Sequence, residues 1–273
     1  MIEVDGIILI ISCHKHLDTR LKLLKLPKDD YGKWKVIYVI GDLFLDCDYK
    51  LEGNFMTIKC EDSYIHLLKK LVLSLKYLYE IFDIKEGVLR CGDDLIFNEN
   101  LLETFLESSK KRKICDDKDI FEDIDFLGMS ASGKSFLSHE ISDNNSKINV
   151  NNNFMVEYYI DHPEDFDNPL HNLKGVDISK YTKCPYISVA PCGVLIYLSN
   201  KSCKILINHM NNINYNIFHY DEYTNSYPYI IEDCGLAFIL YSNKISFIHS
   251  NNICSNNPND TNFVIAIHTN MNR

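Results

Sequence analysis

The fold of this 273-residue chain is organised around the stretch Val88-Leu89-Arg90-Cys91-Gly92-Asp93-Asp94-Leu95-Ile96-Phe97-Asn98. Two adjacent carboxylates, Asp93 and Asp94, stand where a short apolar run breaks, between two helical patterns. Open α/β sheets bind their ligands in loops at strand ends. Carboxylate oxygens suit Mg²⁺ or Mn²⁺, and a metal held by one or two carboxylates keeps positions free for substrate phosphates. The turn is therefore predicted to hold a divalent metal and a nucleotide diphosphate.

Two buried strands are predicted ahead of that turn. Residues 6–12 form the β-branched apolar run GIILIIS, and residues 35–40 form a second run, KVIYVI. Continuous apolar runs of this kind are typical of strands that are covered on both faces. Since about twenty residues separate the runs, and parallel neighbours need a crossover of a dozen or more, the two strands are predicted to pair in parallel.

A long amphipathic helix is predicted between the second strand and the acidic turn. It begins at a cap formed by Asp62 or Ser63, ends near Phe82 and carries one apolar face. The other predicted elements are a helix capped by Asn98, a strand at 126–128, a loop at 142–153, a strand or short buried helix within 181–199, a helix that begins at Glu232-Asp233, and a strand at 263–268 that ends in His268.

The composition limits the possible functions. The chain is 46% hydrophobic and 12% aromatic with a net charge of -10, which favours one globular domain and argues against a nucleic-acid partner. Ten cysteines without a CxxC pair indicate neither a disulfide framework nor a zinc site, so a reducing compartment is expected. No apolar run approaches a membrane span and no signal peptide is recognised, so a soluble, for example cytoplasmic, protein is predicted.

A second motif points to a different function. Residues 128–135, GMSASGKS, match the P-loop pattern letter for letter and predict an ATPase or kinase that uses Lys134 and Ser135. Two features of the sequence argue against this hypothesis. The apolar run after Ser135 soon reaches the loop-forming residues 142–145, and no strand ending in an acid follows to supply the second Mg²⁺ contact. The alternative is a flexible, glycine-bearing turn.

The acidic residues also have purely structural interpretations. Adjacent acids in a turn, such as Asp93 and Asp94, are commonly solvated or capping. Glu232 and Asp233 stand at the start of a helix, where the macrodipole favours acids, although a carboxylate at a pocket edge is also the ordinary general base for a sugar hydroxyl. A lone histidine at a strand end, such as His268, is more often a hydrogen-bonded core residue than a ligand.

Four segments, in succession, resemble one family, the β-1,3-galactosyltransferase and Fringe-like glycosyltransferases. They are similar to the family's Asp-Ser-Tyr helix start, its triple-acid metal motif, its Pro-Tyr block with a following glycine, tyrosine and serine, and its acidic pair near the acceptor. In this chain the segments are Asp62-Ser63-Tyr64 with Leu67 and Lys70, Arg90 to Asn98, Pro185-Tyr186 with Gly193, Tyr197 and Ser199, and Glu232-Asp233-Cys234-Gly235. His66 stands where the family has asparagine, and Gly92 replaces the first of its three acids.

The resemblance implies a fold and an activity. The fold is a GT-A-like α/β domain over residues 1–273, with a mostly parallel, mixed central sheet flanked by helices. A nucleotide-sugar half over about 1–100 precedes an acceptor half over about 101–273. The implied activity is that of a metal-dependent, inverting, galactosyltransferase-like hexosyltransferase, which moves a sugar from a UDP-sugar to a hydroxyl of an acceptor glycan or glycoprotein.

The resemblance also implies a role for individual residues. Asp94 and His268 would bind Mn²⁺ or Mg²⁺, and Asp93 would assist through the ribose or the metal. Asp233 would be the catalytic base, and Glu232 would orient it or the acceptor. The residues that would line the donor nucleotide pocket are Ser12, Arg20, Asp42 and Lys70. Because Gly92 removes one acid of the motif, a catalytically inactive sugar-nucleotide-binding protein is a further alternative.

Overall fold

A computed structural model describes residues 1–23, 26–114, 119–138, 150–151, 153–181, 183–184, 187, 189–222 and 225–269. The Pro185-Tyr186 part of the family resemblance lies outside the described residues. So does the predicted loop at 142–153, except for positions 150, 151 and 153.

The described residues form strands with helices interspersed between them. The strands up to the acidic turn and just beyond it are β1 (Ile2–Ile11), β2 (Asp30–Tyr31), β3 (Trp34–Gly41), β4 (Tyr49–Glu52), β5 (Phe55–Ile58), β6 (Phe82–Cys91) and β7 (Leu95–Phe97). The later strands are β8 (Lys111–Lys113), β9 (Phe121–Asp123), β10 (Phe126–Ser130), β11 (Val150–Asn151), β12 (Lys183–Cys184), β13 (Pro191–Ser199), β14 (Ile248–His249), β15 (Cys254–Ser255) and β16 (Ala266–His268). The helices are α1 (Arg20–Leu23), α2 (Leu67–Ile81), α3 (Glu99–Glu107), α4 (Phe154–Asp161), α5 (Asn200–Asn212) and α6 (Glu232–Ser242).

The central sheet is mixed, with a parallel centre. Its order is β14-β10-β13-β6-β1-β3-β5-β4, with β2 added against β3. Strand β1 pairs in parallel with β3 and with β6, so the predicted parallel pairing of the first two strands is confirmed. Strand β13 runs antiparallel to β6, and β10 runs antiparallel to β13. The predicted α/β class, with a large mixed sheet flanked by helices, is confirmed.

Both faces of the sheet are buried, which explains the continuous apolar runs. Along β1, Ile7 and Leu9 enter one hydrophobic core, and Ile8 and Ile10 enter the other. Helices α2, α5 and α6 contribute to the first core, and α3 contributes to the second. Within the described residues, no helix combines the length and the apolar character needed to cross a membrane.

The apolar face of α2 is predicted correctly, but the start of the helix is not. A 3-10 turn, Tyr64–His66, precedes the helix, and the side chains of neither Asp62 nor Ser63 cap it. The Asp62 carboxylate instead accepts hydrogen bonds from the backbone amides of His14 at 2.7 Å and Gly41 at 2.8 Å. The predicted cap is wrong because long-range partners, which bring Asp62 into the sheet edge, compete with the local one.

Other sequence predictions have mixed outcomes. The Asn98 cap is confirmed, since its side chain accepts a hydrogen bond from the Leu101 amide at 3.2 Å. The choice between strand and helix within 181–199 is resolved by β13, which is a strand. The last strand is shorter than predicted and joins β7 and β15 in a separate three-stranded sheet.

The P-loop match does not form a phosphate-binding loop. Gly128 lies inside β10, and Gly133 occupies a turn with a φ of 67°. In the described residues that follow Lys134, Phe136 pairs with Phe247 in a β-bridge instead of entering a helix. In the described residues 128–137 no helix begins, so this part of the chain lacks the converging helix-terminal amides that hold a phosphate.

Candidate active site

One cleft lies at the carboxyl ends of β1 and β6, where the acidic turn leaves the sheet. Its volume is about 260 Å³. Eight of the nine site residues proposed from the sequence line it, and these are Ser12, Arg20, Lys70, Asp93, Asp94, Glu232, Asp233 and His268. Since these residues come from both ends of the chain, the fold brings together groups that are distant in sequence.

Asp93 is buried against three donors. Its Oδ2 accepts hydrogen bonds from Ser12 Oγ at 2.7 Å and from His16 Nδ1 at 2.8 Å, and its Oδ1 accepts one from Arg20 Nη1 at 3.1 Å. Burial alone would raise the pKa of Asp93, but His16, Ser12 and Arg20 lower it. Burial would likewise lower the pKa of His16, but Asp93 and Cys13 raise it to about 9. His16 is therefore a cation at neutral pH, and Asp93 an anion.

Asp94 and His268 lie against each other on the neighbouring side of the cleft. His268 Nε2 is 3.0 Å from Asp94 Oδ2, although 174 positions separate the two residues in sequence. Its other ring nitrogen, Nδ1, is 3.1 Å from Asn256 Oδ1, which fixes the orientation of the ring. The Arg20 guanidinium is 3.8 Å from Asp94 Oδ2 and thus lies between the two acids of the turn.

Asp94 and His268 are the two protein groups whose arrangement fits a divalent metal. Asp94 and His268 present a carboxylate and an imidazole at one point, a suitable pair of ligands for an ion that also binds substrate phosphates. Both oxygens of Asp93 already accept hydrogen bonds from Ser12, His16 and Arg20, so Asp93 is engaged with the chain's own donors in this structure. Within the described part of the chain, no group of three His, Cys, Asp or Glu side chains is arranged to hold a metal.

Lys70 lines the cleft, but its ammonium group is buried in an ion pair. It donates to the Asp62 carboxylate and to the Ser12 carbonyl oxygen, the latter at 2.8 Å. Both side chains of the ion pair are 1% exposed. Burial raises the pKa of Asp62, but Lys70 and His14 lower it to about 2. Lys70 therefore braces the end of β1, and Ser12 with it, rather than presenting its charge to a ligand.

Asp42 is the one proposed site residue that the described cleft lining does not include. Its carboxylate accepts a hydrogen bond from the Phe44 amide at 2.9 Å in the turn after β3. An Asp that bonds to the backbone two residues on is a common turn former. The local turn accounts for the residue in this structure.

Glu232 is held by a buried arginine. Arg90, in β6, donates from Nε to Glu232 Oε1 at 2.9 Å and from Nη2 to Glu232 Oε2. Its Nη1 donates to the carbonyl oxygen of Gly193 in β13. The side chains of Arg90 and Glu232 are 5% and 4% exposed, so the pair is shielded from water.

Asp233 lies beside the start of β13. The Gly193 amide donates a hydrogen bond to Asp233 Oδ2 at 3.0 Å. A Cβ atom on residue 193 would lie 1.9 Å from Asp233 Oδ1, so only glycine allows the carboxylate to approach this closely. Gly92 has a similar relation to Asp94, where a Cβ atom would lie 2.9 Å from Oδ1.

Two residues that sequence reasoning missed belong to the site. His16 contacts Asp93, and the signal for it was the basic run His14-Lys15-His16 directly after a strand that ends at the ligand edge. Arg90 contacts Glu232, and the signal was a charged residue in the otherwise apolar, buried end of a strand. A buried charge requires a partner, but the sequence does not show that the partner lies 142 positions away.

Comparisons with known proteins add little to this geometry. No protein-family model matches the chain, and no curated protein matches its sequence. Among solved structures, the chain is similar to the crystal structure of mouse xyloside xylosyltransferase 1 in its apo form, with a TM-score of 0.40 and 9% sequence identity over 99% of each chain. A similarity of that size assigns neither fold nor function, so a proposal about function depends on the geometry of the cleft.

Proposed function

We propose that this chain is a GT-A-type glycosyltransferase that moves a sugar from a UDP-sugar to a hydroxyl of an acceptor glycan or glycoprotein, with inversion. The observation that carries the proposal is the convergence of two acidic pairs, Asp93–Asp94 and Glu232–Asp233, with His268 on one cleft at the ends of parallel strands. The sequence resemblance supplies the UDP group, the inversion and the galactose-like hexose.

The end of the cleft beside Asp93 suits a diphosphate. Arg20, His16 and Lys15 line it and place positive charge next to the acidic turn. Guanidinium and imidazolium groups form strong charge-assisted hydrogen bonds with phosphate oxygens. Asp93 holds Arg20 and His16 in place through its two oxygens. These residues are the proposed donor-binding set, together with Ser12.

Asp94 and His268 are the residues that would hold Mn²⁺ or Mg²⁺. When bound, such an ion offsets the negative charge that develops on the leaving diphosphate. Arg20 supplies a second positive charge within reach of Asp94, at 3.8 Å from its Oδ2. The chain's own cations and the ion would thus act on the same leaving group.

Asp233 is the proposed base. It accepts the proton of the acceptor hydroxyl while that oxygen attacks the anomeric carbon of the donor sugar. The bond between that carbon and the diphosphate oxygen breaks, and its electron pair leaves with the diphosphate. Since the attack comes from the face opposite the leaving group, the configuration inverts.

The two halves of the chain would divide this work. Residues from about 1–100 contribute Ser12, Arg20 and Asp94 to the donor end of the cleft. Residues from about 101–273 contribute Asp233 and His268, together with the wall formed by α4 and the turns after it. The first half would therefore bind the nucleotide sugar, and the second would complete the metal site and receive the acceptor.

The test is a panel of nucleotide sugars and nucleotides screened by thermal unfolding with and without Mn²⁺, because a ligand that binds only the native state raises the unfolding temperature. We expect a UDP-sugar to raise it in the presence of Mn²⁺ and to be turned over with a glycoside acceptor. A shift with ATP but not with any UDP-sugar would contradict the proposal and favour an ATPase or kinase. A shift with UDP-sugar but no hydrolysis or transfer would favour an inactive binding protein.

A further inference from the structure

The Arg90–Glu232 ion pair is placed where it adds little to stability. Taking both charges out of water costs free energy that even good geometry only offsets, and apolar residues of similar size are often as stable. The pair nevertheless has bidentate geometry, with Nε and Nη2 of Arg90 on the two carboxylate oxygens. A planar guanidinium fixes direction as well as distance, which a lysine does not. Its geometry therefore suits a positioning function.

The third nitrogen of the same guanidinium holds the backbone of β13 at Gly193. Arg90 Nη1 donates to the Gly193 carbonyl oxygen, so one side chain in β6 joins β13 to the first residue of α6. On its amide side, Gly193 donates to Asp233 Oδ2 at 3.0 Å. The backbone at Gly193 is thus held by Arg90 on one side and contacts Asp233 on the other.

The Asp233 carboxylate packs closely against the Gly193 backbone. A side chain on residue 193 would come within 1.9 Å of Asp233 Oδ1. The carboxylate therefore lies directly over the Gly193 backbone, and a movement of β13 would move its hydrogen-bond donor. Glu232, next in sequence, is anchored through both oxygens and fixes the start of α6.

We propose that Arg90 is a positioning residue for the base Asp233, and that Glu232 is its anchor rather than a second acid or base. This inference rests on the proposed glycosyl transfer. Arg90 acts through two routes, the Gly193 backbone and the first turn of α6, and both end at Asp233. Neither route passes through Asp93, Asp94 or His268, so we expect donor and metal binding to be much less affected than transfer.

The experiment replaces the ion pair by apolar residues, R90M with E232L, which removes both charges together and avoids leaving one buried and unpaired. We expect UDP binding with Mn²⁺ and the donor KM to be retained, and kcat for transfer to fall by about a hundredfold, the size of a misplacement of about 1 Å. The matched control is R112M with E122L, which removes an Arg–Glu pair in the β8–β9 hairpin outside the cleft. That control should leave kcat unchanged.

The decisive measurement repeats the change in an Asp233→Asn background. If Arg90 acts through Asp233, adding R90M with E232L to Asp233→Asn does not lower kcat further. If the ion pair is merely structural, the same addition lowers kcat again. A kcat within twofold of the parent for R90M with E232L would overturn the inference, and so would an additive loss.

A second variant covers the case in which the double replacement does not fold. Glu232→Gln keeps the shape and one acceptor for Arg90, so we expect kcat to fall by less than tenfold, compared with at least a hundredfold for Asp233→Asn. If Glu232→Gln lowered kcat as much as Asp233→Asn, Glu232 would be a catalytic acid or base, and its role as an anchor would be refuted. If the parent protein itself does not bind UDP with Mn²⁺, the proposed function fails, which is a separate result.

Discussion

The cleft contains two acidic pairs that are built on the same plan. In the first pair, Asp93 is bound by an arginine, and the Asp94 carboxylate lies where a side chain on Gly92 would begin. In the second pair, Glu232 is bound by an arginine, and Asp233 lies against a glycine in the same way. In each pair, the acid bound by an arginine is buried and the other acid is partly exposed to the cleft.

The two pairs differ in their access to water. The arginine of the first pair, Arg20, is 15% exposed, whereas Arg90 of the second pair is 5% exposed. A partly hydrated arginine can exchange a carboxylate for a phosphate at low cost, but a buried bidentate one cannot. The first pair is therefore suited to a site whose partners change as ligands bind, and the second to a site that stays fixed.

The largest expected effect comes from removing the cleft-facing acid of the first pair. We expect Asp94→Ala to abolish Mn²⁺-dependent UDP binding and to lower transfer by roughly a thousandfold or more, since a metal Lewis acid contributes several kcal/mol. Isothermal titration with UDP and Mn²⁺, and a transfer assay, would measure both. Asp18→Ala, at an exposed acid outside the cleft, is the control. Unchanged binding in Asp94→Ala would show that the metal site is elsewhere.

The corresponding change in the second pair should separate binding from transfer. We expect Asp233→Asn to retain UDP and Mn²⁺ binding and to lower kcat by at least a hundredfold, as for the loss of a general base. Steady-state kinetics and UDP titration would provide the two values. If Asp233→Asn lost donor affinity as strongly as Asp94→Ala, the division of labour between the pairs would be wrong.

The two glycines provide a more graded comparison. A Cβ atom at Gly193 would lie 1.9 Å from the Asp233 carboxylate, and one at Gly92 would lie 2.9 Å from that of Asp94. Because each contact is with the end of a side chain, the carboxylates can turn away. We expect Gly193→Ala to lower kcat by up to about a hundredfold without affecting UDP binding. Gly92→Ala should weaken metal-dependent UDP binding with less effect on kcat. If Gly193→Ala weakened binding and Gly92→Ala lowered kcat instead, the proposed roles of Asp94 and Asp233 would be reversed.

The greater exposure of Arg20 predicts effects of opposite sign. In Arg20→Gln the cation beside Asp94 is removed, so we expect Mn²⁺ alone to bind roughly fivefold more tightly. UDP in the presence of Mn²⁺ should bind about tenfold more weakly, because a charge-assisted hydrogen bond to phosphate is lost. Titrations with each ligand would measure both, with Lys22→Gln on the same helical turn as the control. If the affinities for Mn²⁺ and for UDP changed in the same direction, Arg20 would not exchange a carboxylate for a phosphate when the ligand binds.

The last prediction concerns stability instead of ligand binding, in the frame behind the first pair. The Asp62–Lys70 ion pair holds the Ser12 carbonyl oxygen, and the pKa of Asp62 falls from 3.8 to about 2 on folding. A carboxyl whose pKa is lower in the folded state stabilises the protein above its unfolded pKa, and that contribution is lost as pH falls toward 2. We expect about 2 kcal/mol of unfolding free energy to be lost between pH 5 and pH 2 through this group.

Urea unfolding as a function of pH would measure that loss. The comparison is with Asp62→Asn combined with Lys70→Met, which removes both charges and should show a shallower decline on the acid side. If the unfolding free energy fell equally steeply with pH in the parent and the double variant, other carboxylates would account for acid unfolding, and Asp62 would not contribute to it.

The sequence predicted those parts of the fold that depend on local pattern. Strands β1 and β3 were recognisable because both of their faces are buried, and α2 because Leu68, Leu71 and Leu75 recur at helical spacing. Helix α5 was missed because its sequence is rich in polar residues. The available signal was Ser199, which accepts a hydrogen bond from the Ser202 amide as an N-cap.

The sequence identified the acids that line the cleft but not their partners. Asp93, Asp94 and Glu232 stand at breaks in apolar patterns, which a single sequence shows. Their arginine partners depend on tertiary pairing across tens of positions or more, as between Asp93 and Arg20, which are 73 apart. Asp62 was assigned to a helix cap for the same reason, since nothing local indicates its contacts with the backbone amides of His14 and Gly41, which are 48 and 21 positions away.

The antiparallel direction of β13 has a consequence for how this protein can diversify. Strands β10 and β13 are hydrogen-bonded neighbours, so both ends of the intervening polypeptide are anchored in the sheet. That polypeptide contributes Tyr158, Asp165 and His171 to the wall of the cleft. The same segment is packed into the core through Met155, Tyr159 and Leu173, so substitutions confined to its cleft-lining side chains are the ones that would reshape the wall without moving either acidic pair.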